Sequence, residues 1–248
     1  MHSVSNPVAC KQCPLQDCKG LRPLEEHQLG YMQDYKDDEV RVPKGELLVR
    51  QDETTDHLFT LLEGLLIRYR ELEDGRRQIV NFMFPGDLVG LQGAFHEPSS
   101  HSVEALIDAR LCVFKRGEFK TLIGTHPQLG YDITWLAAKE ETALEEHIVA
   151  LGRRSARERV AYLAVWLIQR ARGVGMAGDS NRMAIPIRQA QIADMLGLSL
   201  VHTNRTIKSL ERDGLVEWKS GEVCVPDLEK AGDFAKFDTS GVRPRPFI

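Results

Sequence analysis

The sequence predicts an α+β fold in three parts: an N-terminal β-roll of the jelly-roll kind, one long helix, and a C-terminal winged helix-turn-helix. Three observations predict it. Short apolar runs parted by turn residues fill residues 39–119, a spacing typical of closely packed strands. A proline-free stretch from Leu129 to Leu151 carries apolar residues at helical intervals. Two short helical stretches then flank a glycine and lead into a hairpin.

In the roll, the strand-like runs are Glu46–Arg50, Leu58–Leu62, Leu65–Arg70, Gln78–Phe84 and Ala109–Phe114. Between them lie Pro43-Lys-Gly45, Glu63-Gly64, Asp74-Gly75 and Pro85-Gly-Asp87, all turn formers. Glu73-Asp74-Gly75-Arg76, between apolar flanks, reads as a hairpin. Along the helix that follows, Leu129, Ile133, Leu136, Leu144, Ile148 and Leu151 form a narrow stripe close to a coiled-coil seam. A stripe this narrow needs a partner, and a subunit interface is favoured over packing on the chain's own roll. Glu140 takes the vacant place in the row. There it either meets its symmetry mate and weakens a two-fold dimer, or turns out to solvent.

A second helix is expected at Ala156–Arg172, then a glycine-rich break and a strand-like Met183–Ile187. Arg188–Leu196, the turn at Gly197 and Leu200–Asp213 form the helix-turn-helix, and Leu215–Val225 forms its wing, turning at Ser220-Gly221. Ala190, Ile192, Ala193 and Leu196 are assigned inward, Ser199 caps the second helix, and Ile207 and Leu210 anchor it. Val201, His202, Asn204, Arg205 and Lys208 are left on or near the outer face. Arginine can pair with guanine through two bonds and asparagine with adenine, whereas His202, Thr206 and Lys208 suit phosphates. Residues 147–219 hold twelve Lys/Arg against six Asp/Glu, a balance of +6 that leaves −10 for the rest of a chain of net charge −4. A basic module on an acidic body suits double-stranded DNA.

The chain, 42% hydrophobic and 27% charged over 248 residues, is globular. It has no apolar run of membrane-spanning length, and its start has neither a basic nor an apolar leader region, so a cytoplasmic protein without membrane contact is expected. No nucleophile–base pair, phosphate loop or paired carboxylates mark it as an enzyme. Cys10, Cys13 and Cys18 bunch in a short polar segment, and Cys112 stands far downstream in Arg110-Leu-Cys-Val-Phe114. An odd cysteine count clustered at one end argues against a disulfide framework and for soft-metal or iron–sulfur ligation. Three such thiols alone would also hold zinc, and Cys112 alone would be an ordinary core thiol. Cys224 reads as a packing residue.

Together with this layout, Phe84-Pro-Gly-Asp-Leu-Val-Gly90, Ile192-Ala-Asp-Met-Leu-Gly-Leu198 and Asn204-Arg205 carry a resemblance that spans Cys10 to Val225. The chain resembles the CRP/FNR family of dimeric bacterial transcription regulators. The resemblance implies a cysteine-rich segment at 1–20, a cyclic-nucleotide-binding-like roll at 21–126, a dimerisation helix at 127–153, a winged helix-turn-helix at 154–232 and a tail at 233–248. It implies a homodimer on a palindromic operator, with RNA polymerase a further expected partner. The family's cyclic-nucleotide branch neutralises the cyclic phosphate with an arginine after its Gly-Glu-Leu cassette. Residues 86–100 contain none, so cAMP is not the expected ligand. Cys10, Cys13, Cys18 and Cys112 look like the ligands of the oxygen-labile [4Fe–4S] cluster of the oxygen-responsive branch, with one residue fewer between Cys13 and Cys18 than in the usual form. Where that branch carries Glu-x-x-Ser-Arg, this chain has Val201-x-x-Asn204-Arg205, which implies a different half-site. The rival readings are a regulator of this family that senses nitric oxide, haem (His57, His96 or His101 as ligands) or thiol redox, and a zinc-stapled interaction protein that binds no DNA.

Overall fold

The computed structural model describes residues 2–219, 221–240 and 243–248. The chain forms two units, Met1–Glu140 with Pro244–Ile248, and Glu141–Arg243.

In the first unit β1 (His2–Ser3), α1 (Glu26–Tyr35), β2 (Lys36–Val42), β3 (Leu47–Val49), β4 (His57–Glu71), β5 (Arg77–Met83), β6 (Leu88–Val89) and β7 (Ser102–Lys115) follow in order. The main path of the antiparallel sheet runs β1-β2-β7-β4-β5, with β3 on β7 and β6 on β4. Its core is the inward set Val40, Val42, Phe59, Leu61, Leu66, Val103, Leu111 and Val113, alternating with outward residues as a two-faced strand requires. The hairpin at Asp74-Gly75 stands as expected, with Leu72 N–H donating to Arg76 O at 2.9 Å.

One expectation is revised. Glu63-Gly64 does not end a strand: β4 runs through it, and the pairing with β7 shifts register there. At Gly64 φ is +99°, and a Cβ would lie 2.5 Å from Asp108 O, so glycine here permits a bulge against the neighbouring strand. The cysteine segment, short and polar in sequence, is nonetheless anchored on the roll. Its β1 pairs with β2, and Leu15 and Leu21 are 1% and 3% exposed.

The helices α2 (Phe119–Thr125), α3 (Pro127–Arg153) and α4 (Ala156–Gly173) come next. Ser155 caps α4 in a reciprocal box with Glu158. The second unit adds β8 (Arg182–Ala184), α5 (Gln189–Leu196), α6 (Leu200–Arg212), β9 (Glu217–Lys219), β10 (Glu222–Cys224) and α7 (Leu228–Ala235). Its small sheet has the order β8-β10-β9. Val160–Ile168 of α4 is buried continuously and forms the floor on which α5, α6 and α7 sit. The expected wing turn includes Ser220, which lies outside the described residues; Gly221 has φ +85°.

Candidate functional site

The cysteine segment is built from two 3-10 turns. Cys10 opens the first (Cys10–Gln12), Cys13 precedes the second (Pro14–Asp17), and Cys18 closes it. Cys13 N–H donates to Cys10 O at 3.3 Å and Cys18 N–H to Leu15 O at 3.3 Å. Gln33 of α1 accepts from Cys10 N–H at 2.8 Å. Cys112, 7% exposed, lies on β7, paired with Glu39 of β2 on one side and Thr60 of β4 on the other.

Two site residues left no signal in the sequence. Lys36 and Glu39, in the charged run Lys36-Asp-Asp-Glu39, have side chains only 4% and 0% exposed. The Lys36 ammonium donates to Val8 O and to Glu39 Oε2, both at 2.8 Å, and Val8 N–H donates to Glu39 Oε2 at 3.0 Å. This buried pair ties the chain two residues ahead of Cys10 to the strand beside Cys112. Burial works against the Lys36 charge, but the hydrogen bond to Glu39 and nearby negative charge leave its pKa above the ordinary value.

Burial pushes Cys13 up to about 11, and the charges of Cys10 and Cys18 act in the same direction. Burial pushes Cys112 up to about 12, with Cys13 and Cys10 adding to it. Burial also raises Cys10 and Cys18. Metal-free, the set is therefore protonated at neutral pH and weakly nucleophilic; bound metal cations reverse that balance. Among the described residues, no three of His, Cys, Asp and Glu converge as ligands of one ion. The residues that could hold a metal or an iron–sulfur centre are the thiols Cys10, Cys13, Cys18 and Cys112. His57 is half-buried, His96 exposed and His101 buried. Burial pulls His101 down to about 4, with Arg68 and Arg70 acting in the same direction.

On α3, Leu129 and Ile133 are 0% and 4% exposed within the single chain, and Leu136 is half-buried. Glu140 neither faces solvent freely nor stands unpaired: it is ion-paired with Arg68 and accepts from Asn81. In the second unit Leu144 and Leu151 are half-buried, Ile148 is 68% exposed, and Glu141 is exposed.

In the helix-turn-helix, Gly197 takes φ +62° at the end of α5, and Ser199 Oγ accepts from His202 N–H at 3.2 Å, capping α6. Thr203, Thr206, Ile207 and Leu210 face inward, which leaves Val201, His202, Arg205 and Lys208 exposed along one side. Asn204 is half-buried and donates to Gln189 Oε1 at 2.9 Å. Two assignments change. Thr206 is 5% exposed and cannot reach phosphate; Ala190 is exposed, and Gln191 takes the inward place. Cys224, 4% exposed, packs in the wing near Ser180.

Residues 39–126 match the cyclic nucleotide-binding domain family, and residues 158–230 match the Crp-like helix-turn-helix domain family. The chain is 35% identical to the transcriptional activatory protein AadR of Rhodopseudomonas palustris, over 80% of this chain and 79% of that protein. It is 35% identical to the nitrogen fixation regulation protein FixK of Bradyrhizobium diazoefficiens, over 76% and 78% of the two chains. With the transcriptional activator protein FnrL of Cereibacter sphaeroides it shares 28% identity over 93% of this chain and 90% of that one. Among solved structures, FixK2 from Bradyrhizobium japonicum superposes with a TM-score of 0.70 at 27% identity, covering 82% of this chain and 98% of that chain.

Proposed function

The chain belongs to the CRP/FNR family of DNA-binding transcription regulators, and from that premise we propose that an oxygen-labile [4Fe–4S] cluster on Cys10, Cys13, Cys18 and Cys112 sets its hold on DNA as a homodimer. It is a regulator, not an enzyme, and it meets DNA through its helix-turn-helix. The observation that carries the finer reading is the placement of Cys112: it lies on a core strand of the roll, paired with Glu39, whose carboxylate is tied to Val8 just ahead of Cys10, and Cys10 and Cys13 are close enough to bear on its thiol.

When bound, such a cluster supplies a centre that oxygen degrades, so that its loss unties four thiolates at once. Lys36 and Glu39 hold Val8, and Gln33 holds the Cys10 amide, which fixes the start of the cysteine segment beside the strand next to Cys112 and supports this reading. Arg205 reads a guanine and Asn204, steadied by Gln189, stands beside it, while His202 and Lys208 take phosphates. Val201 offers no acceptor to cytosine and makes apolar contact with a thymine methyl instead. The operator is a palindrome matching the two-fold axis of the dimer, and RNA polymerase is the partner through which binding is felt. Cyclic AMP is not the ligand, because the Gly86–Ser100 run brings no cation for its phosphate.

The test is operator binding by anaerobically purified protein before and after air. Binding lost on exposure supports the reading; binding indifferent to air, in protein that carries iron, removes oxygen as the signal.

A further inference from the structure

Residues 244–248 follow the DNA-reading unit in sequence yet belong to the roll's unit. Arg245 lies parallel to Leu21: its N–H donates to Gly20 O at 3.0 Å, and Arg22 N–H donates to its carbonyl at 2.8 Å. Its guanidinium is ion-paired with Asp87, and both side chains are largely buried. Phe247 and Ile248 are 2% and 4% exposed, and the Thr60 hydroxyl donates to Ile248 O. Thr60 is the β4 residue that pairs with Cys112. The segment thus touches the residues just after Cys18, the turn after β5, and the strand position opposite Cys112.

The turn is shaped for this contact. Asp87 Oδ2 accepts from Phe84 N–H at 2.7 Å, which fixes the carboxylate. At Gly86 φ is +84°, and a Cβ would come 2.9 Å from Leu21 Cδ1 and 3.4 Å from Arg245 Nη2, so a bare backbone lets both approach. A carboxylate this buried needs a cation, and Arg245 supplies one from far along the chain. On the other side of the same residues, Arg22 is ion-paired with Asp132, whose side chain is 1% exposed.

We propose that Leu21, Thr60 and the Phe84–Asp87 turn form a docking site for this chain's own Arg-Pro-Phe-Ile segment, 245–248, and that the docked segment holds Gly20–Arg22, and with it the loop ending at Cys18, against the roll. The ligand class is a peptide with an arginine for Asp87 and bulky apolar side chains after it. The cysteine loop is then bracketed by two anchors, the Lys36–Glu39 pair before Cys10 and the docked segment after Cys18. The inference stands independently of what the thiols bind.

The test uses metal-free protein, so that failure of the cluster reading leaves it intact. The alkylation rate of Cys18 is followed by mass spectrometry, with Cys224 as internal control, in the full chain, in Arg245→Ala and in a chain ending at Ser240. We expect Cys18 to react roughly tenfold faster in both variants while Cys224 is unchanged, because the loop opens without global unfolding. A synthetic Arg243–Ile248 peptide added to the shortened chain should restore slow reaction, which a merely misfolded chain would not show. Rates equal to the full chain's, or a common acceleration of Cys18 and Cys224 that the peptide does not reverse, would overturn the proposal.

Discussion

Glu140 of α3 accepts two hydrogen bonds from the Asn81 amide of β5, at 2.9 and 3.2 Å, while Arg68 of β4 is ion-paired with the same carboxylate. The charge that sequence spacing put in the dimer seam is thus neutralised within its own roll. Glu140→Ala leaves a 12%-exposed arginine and a 4%-exposed asparagine without their acceptor. The expected loss is about 1–3 kcal/mol in urea unfolding of metal-free protein, with Glu140→Gln losing less. An unchanged midpoint in both variants would contradict the clamp.

With Glu140 engaged in the roll, we propose Glu141 as the acid of the dimer seam. Glu141, Leu144, Ile148 and Leu151 recur at steps of three, four and three, and Ile148 is 68% exposed in the single chain, as an interface residue of a free protomer should be. Glu141→Leu removes like-charge repulsion across the two-fold axis and should lower the dimer dissociation constant of metal-free protein about tenfold. Sedimentation equilibrium checks this. Equal constants for Glu141→Leu and the unaltered protein would take Glu141 out of the seam.

This one-residue shift shows what the sequence could and could not carry. Apolar spacing located α3, but one residue of a helix turns the side chain by about 100°, and the partners that decide which acid is engaged, Arg68 and Asn81, lie on other elements. Gly64 read as a turn because glycine permits both a turn and a bulge; the close approach of Asp108 on β7 decides for the bulge. The site followed the same division. The outward face of α6 was legible from residue type and local period. Thr206 was misassigned because only packing under α6 buries it. Lys36–Glu39 and Arg245–Asp87 were invisible because each buried charge has its partner set by tertiary structure.

On α6, Arg205→Ala should weaken specific operator binding by about 1–3 kcal/mol and relax preference at one base pair. Lys208→Ala should weaken all sequences alike and reduce the salt slope by about 1. Thr206→Ala, at a buried position, should lower stability and leave base preference intact. Fluorescence anisotropy on single-base operator variants separates the three. An altered preference in Thr206→Ala would show that the inward face of α6 is wrongly assigned.

His101 gives a pH signature. Burial, then Arg68 and Arg70, pulls its pKa from 6.5 to about 4, so below pH 6.5 the unfolded chain binds a proton that the folded chain refuses. Stability should therefore fall as pH drops from 6.5 toward 4, by an amount on the order of 3 kcal/mol for this group, and the group should contribute nothing above that window. His101→Gln should flatten that part of the profile in chemical denaturation. Parallel profiles for the two proteins would mean that His101 titrates normally.

The central claim is that four cysteines from two distant stretches hold one cluster. Iron and acid-labile sulfide, measured on anaerobically purified protein, test it most directly. The expected result is about four of each per chain, with a visible absorption that air bleaches, and with both lost in Cys18→Ala and Cys112→Ala but kept in Cys224→Ala. Colourless protein without iron or sulfide, or full loading of Cys112→Ala, would contradict it.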